Sequence, residues 1–128
     1  MEGMGKKICL DSDVVIDAIK NHEYYVKLGY LFQNNELYIT TITIFELYQR
    51  TSNLDVIEEM ISHLKVLDFD TSSAILASTI LKNLKKGGTT IPVRDLFIGS
   101  IAITNNCELL TNNIKDFKNI PNLKLVQV

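Results

Sequence analysis

The sequence predicts an α/β protein: a single doubly wound domain with a parallel sheet of four to five strands flanked by helices. Three observations lead there. Short apolar runs of strand length alternate with longer segments whose apolar residues recur every three or four positions. Helix start and stop signals punctuate them, as at Asp70 before one helix and Gly87–Gly88 after it. No linker or repeat divides the 128 residues, so one domain is expected over 1–128. Strands separated by helices pair in parallel, because a parallel neighbour needs a crossover and the helix supplies it.

The elements follow in order. "KKICL" (6–10) is the first strand, apolar and bounded by charge, and "SDVVIDAIK" (12–20) follows at once as a helix. "EYYVKLGYLFQNN" (23–35) is a second helix, with Tyr25, Leu28, Leu31 and Phe32 on one face. "ELYITT" (36–41) is the next strand. "TIFELYQRTS" (43–52) and "LDVIEEMISHL" (54–64) have helical spacing, and "KVLDF" (65–69) is the third strand. Asp70 opens the helix that runs through "AILASTILKNLKK" (74–86), whose Ala74, Ala77, Leu81 and Leu84 form a stripe. "VRDLFIGSIAITNN" (93–106) is apolar almost all round, the mark of a buried helix. "CELLT" (107–111) and "LKLVQV" (123–128) are the last strands, separated by an "NIKDF" turn and Pro121.

Composition narrows the function. A hydrophobic content of 46% suits a globular chain, no apolar run is long enough for a membrane span, and no leader resembles a signal peptide. A cytoplasmic protein with no membrane partner is expected. The net charge of −2 argues against holding nucleic acid by bulk positive field. Lys82, Lys85, Lys86, Arg94, Lys115 and Lys118 are the candidate phosphate contacts, with a solvated face the plainer reading of the first three. Cys9 and Cys107 sit in or beside apolar runs and read as buried thiols; without a C-x-x-C pair there is no zinc ribbon. His22 and His63 have no partners at ligand spacing.

Three aspartates, Asp11, Asp13 and Asp17, crowd the first strand and its helix. In doubly wound sheets ligands bind beyond the carboxyl ends of the strands, where helices begin. Asp11 stands at such a junction. Glu46 is expected in the first turn of the helix after the second strand, Asp95 in the first turn of the buried helix, and Asp116 just after "ELLT". Each has a local explanation: a cap for Asp11, a T-x-x-E capping box for Thr43 and Glu46, the helix dipole for Asp95, a solvated turn for Asp116. Four caps would not all need carboxylates at one edge. Converging carboxylates stay ionised when a hard cation holds them, and Mg²⁺ or Mn²⁺ takes oxygen ligands of this kind. A pair of unscreened carboxylates costs on the order of 1 kcal/mol near a surface, so Asp11→Asn is expected to stabilise the metal-free protein.

Taken in order, "LDSDVVID", "TTITIFEL", "IPVRDLFIGSIAI" and "LLTNNIKDF" resemble the PIN-domain nucleases, and most closely their VapC-type toxin members. The resemblance runs over nearly the whole chain. It implies a PIN-like fold and a Mg²⁺- or Mn²⁺-dependent endoribonuclease that hydrolyses RNA phosphodiesters with metal-activated water. Asp11, Glu46 and Asp95 match the family's core acids and Asp116 its fourth, more variable acid, all four as catalytic metal-site residues. Thr111 and Asn113 match a supporting T-x-N, and Ser12 the small hydroxyl after the first acid. Asp13 departs from the family, whose members often carry asparagine there, and is read as a supporting residue. The resemblance further implies a homodimer and a small antitoxin protein that restrains activity. Surplus aromatics on two helices, among them Tyr24, Tyr30 and Tyr48, are candidates for such interfaces.

Two other readings stay open at this point. "LDSDVV" also fits the entrance motif of haloacid dehalogenase-like phosphatases, with Asp11 as nucleophile and Asp13 as acid or base, but that leaves Glu46 and Asp95 without a task. A receiver-like, non-enzymatic signalling domain would use Asp68 or Asp70 as phospho-acceptor, and no lysine cleanly ends a late strand to serve it.

Overall fold

Strand β1 (Lys7–Leu10) explains the layering by itself. Its Ile8 and Leu10 point to one face, Cys9 to the other, and all three are buried. A strand apolar on both faces must lie inside a sheet covered on both sides. In the computed structural model, which describes residues 5–127, β1 is the middle of a five-stranded sheet in the order β3-β2-β1-β4-β5. Its neighbours are β2 (Glu36–Thr40) and β4 (Glu108–Leu110); β3 (Lys65–Leu67) and β5 (Leu125–Val126) are the edges, and every pairing is parallel.

Helices α1 (Ser12–Lys20), α2 (His22–Asn34), α3 (Thr41–Tyr48) and α4 (Leu54–Ile61) connect β1 to β3. Ile8, Leu10, Leu37 and Ile39 pack there with Val14, Leu28, Leu47 and Ile57. Helices α5 (Thr71–Lys86) and α6 (Val93–Thr104) and the short α7 (Ile114–Phe117) belong to the second half. Cys9, Leu109, Ala77, Ile80, Ile98 and Phe117 form the core on the other face. The chain winds outward from β1 in one direction and then restarts at β4 on β1's other side. The crevice at this reversal opens between the carboxyl ends of β1 and β4, where Asp11 N donates to Leu110 O at 2.9 Å.

The doubly wound parallel sheet agrees with the sequence, as do the Asp70 cap, which accepts from Ser73 N, and the burial of α6. Some details differ. On α2 only Leu28 is buried; Tyr25 and Phe32 face solvent, because the sheet leaves that side of α2 uncovered. On α5 the buried face is Ser73, Ala77 and Ile80, and Ala74 is exposed. The "NIKDF" turn closes one helical turn, α7. The strands are shorter than the apolar runs that mark them, and Val128 of "LKLVQV" lies outside the described residues. Among the described residues no helix is long and apolar enough to cross a membrane. Cys9 and Cys107 are buried free thiols, as read from sequence.

Candidate active site

Three elements deliver three carboxylates to the crevice. Asp11 follows β1 as the N-cap of α1, and its Oδ1 accepts from Ser12 N at 2.8 Å. Asp95 lies in the first turn of α6, whose burial takes the carboxylate with it. Glu46 comes from α3 and lies one turn further along than expected. The cap of α3 is Thr40, whose hydroxyl accepts from Thr43 N at 3.0 Å, so the helix starts two residues before the anticipated Thr43. Thr43 is therefore no N-cap, the T-x-x-E capping box does not form, and Glu46 occupies the second turn. That removes the local explanation for Glu46.

The three carboxylates meet on one cation, the guanidinium of Arg94. Its Nη2 donates to Asp11 Oδ1 at 2.7 Å and to Ser12 Oγ at 3.1 Å; its Nε donates to Glu46 Oε2 and its Nη1 to Asp95 Oδ1. Asp11 and Asp95 are almost fully buried, whereas Arg94 and Glu46 keep about a quarter of their side-chain surface. Burial pushes the Asp95 carboxyl above its usual range; Arg94 pulls it back, and the charges of Asp11 and Asp116 push again upward. Glu46 Oε1 is buried with no hydrogen-bond partner.

The supporting residues stand around this centre. Thr111, fully buried at the end of β4, donates its hydroxyl to Asp11 Oδ2 at 2.8 Å, and accepts from Asn113 N at 3.0 Å. Asn113 Nδ2 donates to Asp116 Oδ2 at 2.7 Å. Asp116 thus stands at the rim, held by Asn113 and within charge range of Asp95, but not on Arg94. Asp13 turns to the loop after β4, where its Oδ2 accepts from Asn112 N at 3.1 Å while its Oδ1 is buried and unpartnered. Burial, then the Asp11 charge, push the Asp13 carboxyl up to about 6, with Asn112 N partly offsetting them.

Two features escaped the sequence reading. Arg94 was a candidate phosphate contact; the structure gives its N–H groups to the three acids instead. The available signal was its position, because a cation in the first turn of a helix opposes the helix dipole and needs acids to satisfy it. The second is a chain of polar contacts from Asp17 Oδ2 through Asn112 to Tyr24 Oη, at 2.6 and 3.4 Å, which ties α1 and α2 to the β4 loop.

Among the described residues no group of three acidic, histidine or cysteine side chains is placed to hold a metal ion; Asp11, Glu46 and Asp95 are each paired with Arg94. Their chemistry nevertheless suits a hard cation: all the charged donors are carboxylate oxygens, and one of them, Glu46 Oε1, has no protein partner.

Residues 8–123 match the model of the PIN domain, and the chain belongs to the PIN domain family. Among its relatives, Ribonuclease VapC2 of Rickettsia felis is 36% identical over 91% of this chain and 93% of its own length. The tRNA(fMet)-specific endonuclease VapC of Salmonella typhimurium is 31% identical over 93% of this chain and 96% of its own. Among solved structures, that of VapBC2 from Rickettsia felis bound to a DNA fragment from their promoter contains a chain that superposes with a TM-score of 0.86. The identity is 32%, over 95% of this chain and 98% of that one.

Proposed function

We propose that this protein is a Mg²⁺- or Mn²⁺-dependent endoribonuclease, acting through one domain over the whole chain as the toxin of a toxin–antitoxin pair. The observation that carries this reading is the gathering of Asp11, Glu46 and Asp95 about one cationic position at the sheet's reversal, in a chain whose relatives are VapC ribonucleases. A divalent cation bound there would lower the pKa of a water and stabilise charge on the phosphodiester. Asp11, Glu46 and Asp95 would hold it, with Asp116 completing the acid set from the rim. Thr111 fixes the Asp11 carboxylate through Oδ2, leaving Oδ1 to face the centre. Asn113 in turn fixes Thr111 and Asp116. Ser12 offers its hydroxyl beside Asp11, and Asp13 braces the β4 loop.

The test is cleavage of total RNA by the purified protein with Mg²⁺, with Mn²⁺ and with EDTA. Cleavage that requires metal, is abolished in Asp95→Asn, and leaves 5′-phosphate and 3′-hydroxyl ends supports the proposal. Ends bearing 2′,3′-cyclic phosphate, or cleavage undiminished in EDTA, would overturn it. A phosphatase acting through an Asp11 phospho-enzyme is disfavoured by the geometry, since it gives no task to Glu46 and Asp95, which meet Asp11 on the Arg94 guanidinium.

Two apolar faces support the two protein partners. Phe45, Val93 and Ile75 are each more than half exposed, and the first two border grooves between α3, α5 and α6; this face suits a second copy of the chain. Across the molecule, Tyr25, Phe32 and Met60 line a groove of about 410 Å³ between α2 and α4, with Glu59 and His63 at its edge. An amphipathic antitoxin segment fits a groove of that character.

A further inference from the structure

We infer that Arg94 is a built-in counter-cation that competes with the metal: its guanidinium holds Asp11, Glu46 and Asp95 together in the metal-free protein and has to leave for a divalent cation to enter. The inference rests on the proposed metal centre and concerns how that centre is loaded. Carboxylates that converge need positive charge among them. Among the described residues Arg94 is the one cation paired with these acids; the other ion pairs, Lys6–Glu108, Lys65–Glu36 and His63–Glu59, lie elsewhere.

The fork of Arg94 also takes one oxygen of each acid that would hold the metal, leaving Glu46 Oε1 without a partner. Nη2 holds Asp11 Oδ1, Nη1 holds Asp95 Oδ1 and Nε holds Glu46 Oε2, while Thr111 occupies Asp11 Oδ2. Metal and guanidinium therefore share ligands, and two cations a few ångströms apart repel as well. They are alternatives. Arg94 has an open side to leave by: its side chain is 29% exposed, so the guanidinium can turn into water while the stem stays on α6.

The decisive experiment measures metal binding rather than cleavage. Mn²⁺ is titrated into metal-free wild type and R94Q by calorimetry. R94Q is expected to bind about tenfold more tightly, equivalent to ~1.4 kcal/mol, and to melt lower than wild type in EDTA. Equal Mn²⁺ affinities would overturn the competition and leave the metal centre standing. No Mn²⁺ binding to either protein would overturn the metal centre and the competition with it. Wild type alone provides a second readout that does not depend on the variant folding. The Nε–H resonance of Arg94, assigned by its loss in R94K, should exchange slowly with solvent in EDTA and lose that protection as Mg²⁺ saturates the protein. Protection that persists at saturating Mg²⁺ would overturn the inference.

Discussion

Asp11 illustrates how one neighbour reverses an expectation. Crowded carboxylates alone would make Asp11→Asn stabilising without metal. With Arg94 Nη2 at 2.7 Å and Thr111 at 2.8 Å on a nearly fully buried carboxylate, the substitution instead removes a charge-assisted hydrogen bond. Asparagine still caps α1 about as well, so the pairing decides the sign. Asp11→Asn should lower stability in EDTA by about 1–3 kcal/mol, read as a lower melting temperature. A higher one would restore the repulsion argument. Asp13 has the opposite character. Its folded carboxyl titrates near 6, above the ordinary 3.8, so between those values the folded state holds more of the proton than the unfolded state does. Stability should therefore fall as pH rises from about 4 to 6. The loss is on the order of 1 kcal/mol once screening of this half-buried group is allowed for. Asp13→Asn keeps an acceptor for Asn112 N and should flatten that slope in urea titrations at successive pH values in EDTA; an unchanged slope would assign it to another group.

At the level of elements, the site depends on where helices begin. Helix α3 begins at Thr41 because Thr40, fully buried at the end of β2, caps it by accepting from Thr43 N and donating to Thr43 Oγ1 at 3.1 Å. That start sets the rotation of α3 and so the direction in which Glu46 leaves it. Thr40→Ala should cost about 1–2 kcal/mol, a fall of several degrees in melting temperature, and should reduce metal-dependent activity more than its stability loss explains. Thr40→Ser retains the hydroxyl and should rescue both, whereas failure of the rescue would show that the methyl group, not the cap, matters. Helix α6 is positioned by burial on nearly every side, and by Ser73 Oγ of α5 meeting Thr104 Oγ1 at 2.8 Å near its far end. Asp95 inherits its place from that packing.

At the scale of the whole molecule, the reversal of strand order between β1 and β4 creates the crevice, and the two uncovered apolar faces flank the halves of the sheet. If the face around Phe45 joins two copies, wild type should scatter light as a dimer at micromolar concentration and Phe45→Lys as a monomer. Phe32→Lys, in the α2–α4 groove, should leave the dimer intact and weaken antitoxin binding instead. A monomeric wild type would overturn the dimer.

The alternation of apolar runs with helical periods determined the parallel, doubly wound sheet, because strands buried on both faces must be apolar along their whole length. That topology put Asp11, Glu46, Asp95 and Asp116 at one edge, and the family resemblance matched "LLTNN" to supporting roles. Three things were decided only in three dimensions. The cap at Thr40 beat the Thr43 alternative because a buried hydroxyl at the end of a strand satisfies the first turn of the helix sooner. The aromatic side of α2 stayed in solvent because α4 borders it without covering it. Arg94 turned inward because three carboxylates from α1, α3 and α6 converge within reach of one guanidinium. Periodicity reports which face of an element is apolar; it carries no record of which distant charges will meet across a crevice.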